Sequence, residues 1–212
     1  MANNRARVFL IWLLAAGLSG PVGIVLHELG HYAAAVAFGF PEAKLSYSAV
    51  SYRNQDLFWQ ALATGDRAAA AAIYPLHQGG IMAAAGPAVT LTLIVVSMWM
   101  LSTRRLGNAL AAFFAGLALM AGVRASMGVY YVVYARENVS SERLFFDEIN
   151  AARAFDIPVD WIIWPSVAVV ALAWIVVIPK LTPHRWTKLV LVVAAPVLGI
   201  IIWAQTGPFV LP

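Results

Sequence analysis

Residues 8–40 read VFLIWLLAAGLSGPVGIVLHELGHYAAAVAFGF, an apolar run interrupted by one charged residue and two histidines. A stretch from Val8 to Phe38 makes about 46 Å of helix at 1.5 Å per residue, more than the ~30 Å of a bilayer's hydrocarbon layer. It predicts a membrane-crossing helix that tilts, protrudes or kinks, with Gly20-Pro21 as the place for a kink. Within it, His27-Glu28-Leu29-Gly30-His31 is an HExxH motif. On a helix, two histidines four residues apart direct both imidazoles from one face, where they can hold one Zn²⁺, with Glu28 beside them as general base for a water. With four histidines in the chain, a chance HExxH is expected with probability on the order of 10⁻³. Three ionisable side chains in a spanning segment are costly in lipid, so a cavity, partner or ion must face them.

Working outward, the composition fixes the solvent. Hydrophobic residues make up 62% and charged residues 11% of the 212 positions, and the mean hydropathy is +0.78. These values predict an all-α integral membrane protein, forming one polytopic domain over residues 1–212 in contact with the lipid bilayer. The absence of cysteine excludes disulfides, thiolate-ligated zinc and a cysteine nucleophile. A net charge of +4 is ordinary for membrane loops and gives no reason to invoke nucleic acid.

About five transmembrane helices are expected: Val8 to Phe38, Gly79 to Leu101, Leu106 to Tyr134, Trp161 to Ile178 and Leu189 to Ala204. Trp59, Trp161, Trp164, Trp186 and Trp203 fall near predicted ends, as interfacial anchors do. Two polar stretches emerge on the side where the motif helix ends. In the first, Leu45 to Tyr52 alternates apolar and polar residues, the pattern of a short surface β-hairpin or an amphipathic loop. The second, Ala135 to Asp160, is the most charged part of the chain, and Leu144 to Phe155 has the periodicity of a short amphipathic helix. Both can close over His27 and His31. Five spans put seven Lys/Arg on one side and six on the other, so the positive-inside rule leaves the orientation open.

Catalytic zinc usually takes three protein ligands and keeps a fourth position for water. The candidates for a third ligand on the motif side are Asp147, Glu148, Asp156, Asp160, Glu137, Glu142 and His77. Asp147 follows the apolar Leu144-Phe145-Phe146, which suits membrane depth. His77 is a candidate site-lining donor, and Arg124, inside the third span, must face a partner or water.

An HExxH closing the first span, then Gly79-Gly80, then Gly86-Pro87 opening the next, resembles the site-2 protease family of intramembrane zinc metalloproteases, especially its small bacterial and archaeal members. The resemblance covers the first half of the chain well and the rest in outline. It implies one zinc per chain held by His27, His31 and an Asp whose nearest counterpart is Asp147, although Glu148 stands where the family has Gly. Gly79, Gly80, Gly86, Pro87, Arg124, Glu148 and His77 are the implied or candidate neighbours of that site. Thr90 occupies a position that is often Asn in the family. The implied activity is cleavage of membrane-embedded or membrane-proximal peptide bonds, in a prokaryotic cell membrane, on a membrane protein or peptide substrate and under the control of a regulatory partner protein.

Two other classes fit the composition. A catalytically silent scaffold or chaperone of the same fold has no need of Glu28. A metal-handling membrane protein is expected to carry further His, Asp or Glu inside other spans, where only Arg124 stands.

Overall fold

A computed structural model describes residues 2–130, 132, 133, 147–181 and 184–212, without the side chains of residues 2–4, 120, 121, 123–125, 127 and 128. The elements run α1 (Ala2–Ala37), β1 (Lys44–Leu45), β2 (Val50–Ser51), α2 (Gln55–Ala63), α3 (Arg67–Ile73), α4 (Leu76–Thr103), α5 (Asn108–Tyr130), α6 (Asp147–Phe155), α7 (Asp160–Val177), a 3₁₀ turn (Ile178–Leu181) and α8 (Arg185–Val210). Among the described residues, four helical stretches are long and apolar enough to cross a membrane: Arg5–Ala37, Leu76–Thr103, Asp160–Leu181 and Arg185–Val210. The chain is therefore built as a multi-pass membrane protein. The third expected span coincides with α5, a helix of 23 residues. Its fully described apolar stretch, Asn108–Leu119, is shorter than a span, so the count shown is four rather than five.

Helix α1 lies at the centre and packs against α4, α5 and α8. Helix α1 continues without interruption through Gly20-Pro21, the expected place for a kink. Proline removes the N–H that would bond the carbonyl of Gly17. That carbonyl is instead covered by α8, where a Cβ on Gly199 would lie 2.0 Å from Gly17 O. Small residues allow this approach, as is general where helices pack in lipid. The same logic fills the bundle core with Ala16, Ala112, Ala115, Ala118, Ala173 and Ala195 around Ile94 and Val192.

A second core lies at the C-terminal end of α1. Phe40 stacks on Tyr74 at 4.6 Å and lies 4.9 Å from Tyr52, and Phe58 meets Trp59 edge-on at 4.7 Å. These rings seat the hairpin and α2 against α4 and α6. Trp59, expected at the membrane interface, is only 6% exposed and belongs to this core. Trp161 and Trp186, at the starts of α7 and α8, are exposed, as anchors should be. The alternation at Leu45 to Tyr52 becomes a minimal antiparallel hairpin, Lys44 facing Ser51 and Leu45 facing Val50.

Candidate metal centre

Three side chains distant in sequence meet at one point. His27 and His31 come from successive turns of α1, and Asp147 opens α6. His27 Nε2 lies 3.1 Å from His31 Nε2 and 3.1 Å from Asp147 Oδ2, and His31 Nε2 lies 3.4 Å from the same oxygen. A tetrahedral zinc with bonds of about 2.0–2.1 Å separates its ligand atoms by about 3.3–3.4 Å. Both histidines are buried, and Asp147 is 28% exposed. Among the described residues no other group of three His, Cys, Asp or Glu side chains is so placed.

The far side of each imidazole sets which nitrogen faces the cluster. Nδ1 of His31 is 2.7 Å from Met82 O and so donates its hydrogen to that carbonyl, which leaves Nε2 with a lone pair in the neutral ring. Nδ1 of His27 is 2.9 Å from Thr90 Oγ1. With Asp147 ionised, the convergent atoms form an acceptor set that repels itself unless a proton or cation lies among them. A carboxylate and two ring nitrogens are also the donor set of a metal site, with partners on the outer nitrogens as such sites require. By donor chemistry and spacing alike, the three residues fit a zinc ion.

Helix α4 makes the platform under the rings. A Cβ on Gly86 would lie 2.2 Å from His31 Nε2 and 2.7 Å from His27 Nε2. Gly86 therefore lets the α4 backbone press directly on both imidazoles, and Pro87 follows it, buried. Next to Gly86 along the α1–α4 contact, a Cβ on Gly30 would lie 2.8 Å from Ala85 O. The motif's internal glycine thus sets how closely α1 approaches α4.

A cavity of about 830 Å³ opens beside the cluster, lined by Glu28, His31 and Asp147 together with Ser48–Val50 of the hairpin, one face of α2 and Met82 of α4. The first polar stretch lines this cavity through the hairpin and α2, and the second through Asp147 and Asn150 of α6; residues 135–146 lie outside the described residues. Glu28 is half-buried. On the exposed surface flanking the hairpin, Arg53 Nη2 donates to Glu42 Oε1 at 2.5 Å, and this bond holds the Glu42 carboxyl below its ordinary range.

Other expected neighbours lie elsewhere. His77 is exposed on the first turn of α4 and does not line the cavity. Gly79 and Gly80 are packed under Phe58 and Phe155, where added Cβ atoms would lie 2.4 and 2.8 Å from the rings. Both are inside a helix, so their backbone offers no free edge for an extended peptide. Glu148 shares the first turn of α6 with Asp147 but is outside the cluster. Asp156 and Asp160 are also outside it. Glu137, Glu142, Leu144-Phe145-Phe146 and the side chain of Arg124 lie outside the described residues. Three participants had no assigned role in the sequence reading: Met82 through its carbonyl, Thr90 and Asn150. Spacing carries a signal for the last two, since Thr90 is one turn from Gly86 and Asn150 one turn from Asp147.

No family model, curated protein or solved structure matches the chain. What is defined here is a class: a multi-pass helical membrane protein with a buried His-His-Asp cluster able to chelate a metal.

Proposed function

We propose that the chain is a zinc-dependent intramembrane endopeptidase of the site-2 protease type, carrying one zinc on His27, His31 and Asp147. The observation that carries this reading is the convergence of three lone-pair donors, 3.1–3.4 Å apart, at a cavity that Glu28 also lines. Zinc bound there would supply Lewis acidity, lowering the pKa of a water and polarising a peptide carbonyl. Glu28 takes a proton from the attacking water at its carboxylate and returns it to the leaving nitrogen. Thr90 and Met82 O hold the two rings in the orientation that points Nε2 inward. Gly86 sets their height.

A substrate helix hides its carbonyls in its own hydrogen bonds, so the peptide must unwind before attack. The hairpin supports strand addition as the way to hold it, because Ser48–Val50 line the cavity and short strands recruit extended peptides through main-chain bonds. The reading includes α5 as a fifth span. The last turn of α8 lies beside the hairpin that follows α1, with Tyr47 N donating to Leu211 O at 3.0 Å. An N terminus at one end of α1 and a C terminus at the other favour an odd number of crossings. In this reading the protein resides in a prokaryotic cell membrane, acts on a membrane protein or peptide, and answers to a partner protein.

Replacing the base tests the mechanism. Glu28→Gln retains zinc and fold but lowers cleavage of a membrane-embedded peptide by about 10²-fold or more, because the amide accepts no proton. Undiminished cleavage by Glu28→Gln would refute the role.

A further inference from the structure

Asn150 stands one helical turn after Asp147 on α6, and residues three apart on a helix share a face. Both line the cavity beside Glu28 and His31. Asn150 is 7% exposed, and its Oδ1 has no hydrogen-bond partner among the described residues. The surrounding residues of α6, Ile149, Ala151 and Ala152, are buried and apolar. An apolar side chain would fill this position without leaving a polar atom unbonded. A buried carbonyl left unbonded costs about 1–3 kcal/mol, so an asparagine retained here calls for a ligand that completes it.

The ligand's chemistry follows from the atom. Oδ1 accepts and does not donate, so its partner brings an N–H. An extended peptide has one such group per residue and offers them on alternating sides, whereas a helical peptide has spent nearly all of them. Along α6 the rise between residues three apart is about 4.5 Å, between the roughly 3.3 Å rise of one strand residue and the roughly 6.6 Å that separates groups on the same side of a strand. A peptide whose carbonyl is presented beside Asp147 therefore has an N–H on the same edge within reach of Asn150.

We propose that Asn150 is a substrate-binding residue, its carboxamide oxygen receiving a backbone N–H of the unwound peptide next to the scissile bond. This rests on the metalloprotease reading above. It gives α6 two tasks on one face: Asp147 completes the metal site and Asn150 registers the peptide against it. Since the bond is available only to an extended chain, Asn150 also selects against substrates that remain helical.

The test uses the purified full-length protein in detergent and acetyl-leucyl-leucine hydroxamate, whose hydroxamate group seeks zinc. It is compared with analogues in which a single peptide N–H is replaced by an ester oxygen, a near-isosteric change that removes one donor. In the wild type, one of the esters binds about tenfold more weakly, the order expected for a lost hydrogen bond in a buried site. In Asn150→Ala the ester and amide bind alike. Asn150→Asp, which keeps an acceptor at the same atom, restores the preference for the amide. Zinc stays at about one per chain in all three proteins, since Asn150 is no ligand. Equal binding of esters and amide by the wild type, or an amide preference that survives in Asn150→Ala, overturns the proposal while leaving the metal site standing. The wild-type and Asn150→Asp arms stand even if the alanine variant does not fold. A wild type that fails to bind any of the hydroxamates overturns the metal reading and this proposal with it.

Discussion

Gly86 is the residue on which the site's geometry turns, because the two imidazoles rest directly on its Cα. Gly86→Ala is expected to displace both rings and abolish stoichiometric zinc binding, while overpacking of about 1–3 kcal/mol leaves the helices formed; metal analysis and circular dichroism on one sample check both halves. Asp147→Asn should weaken zinc about tenfold or more, the order seen when a metal site is disturbed. Glu148→Gln, outside the cluster, should change it little. Equal losses in the two variants would reassign the carboxylate. The share of this site that is legible in sequence follows from physical distance. His27, Glu28 and His31 are read at once because helix geometry alone places them together. Asp147 lies 120 positions from His27, and only the apolar Leu144-Phe145-Phe146 before it and the resemblance single it out, because no local pattern links it to the motif. Met82 acts through a backbone carbonyl, which leaves no mark in any side-chain pattern. Gly79 and Gly80 carry the opposite lesson: a glycine pair that the resemblance makes a neighbour of the site is here the floor under two aromatic rings.

Among the elements, α6 matters most, since it brings the third donor. Its N-terminal end carries Asp147 and Glu148, where the helix dipole favours anions, and its C-terminal carbonyls are capped from another element. Arg67 of α3 donates from Nη1 to Arg153 O at 2.5 Å and from Nη2 to Ala154 O at 3.2 Å. A charged donor to orphan carbonyls at a helix end contributes on the order of 1–2 kcal/mol. Arg67→Ala should accordingly lower the thermal midpoint and weaken zinc binding together, because the helix that presents Asp147 loses its tether. A lowered midpoint with unchanged zinc affinity would separate α6 from the metal. Of the elements, the long apolar helices and the hairpin could be read from hydropathy and alternation. The unbroken run of α1 through Pro21 could not, since the carbonyl that Pro21 leaves unbonded is covered by Gly199 of α8. Burial of Trp59 was equally hidden, because the cluster that covers it gathers residues as distant in sequence as Phe40, Ala83 and Ala151.

For the whole molecule, passes across the membrane and the metal are the two properties open to direct test. The chain contains no cysteine, so single cysteines report sidedness without background. With five passes, Ala6→Cys and Gly107→Cys label from one side of the membrane and Pro212→Cys from the other. Labelling of all three from the same side would mean that α5 does not cross. Basic residues of α1, α8 and the turn between α4 and α5, with Lys188 4.7 Å from the Trp12 ring and Arg104 5.5 Å from that of Trp99, mark the end opposite the cavity. Every functional statement, however, depends on the ion. The decisive measurement is the zinc content of the purified protein beside that of a His27→Ala/His31→Ala double variant. About one zinc per chain in the wild type and none in the variant is the predicted result; a metal-free wild type, or stoichiometric zinc retained by the variant, would contradict it.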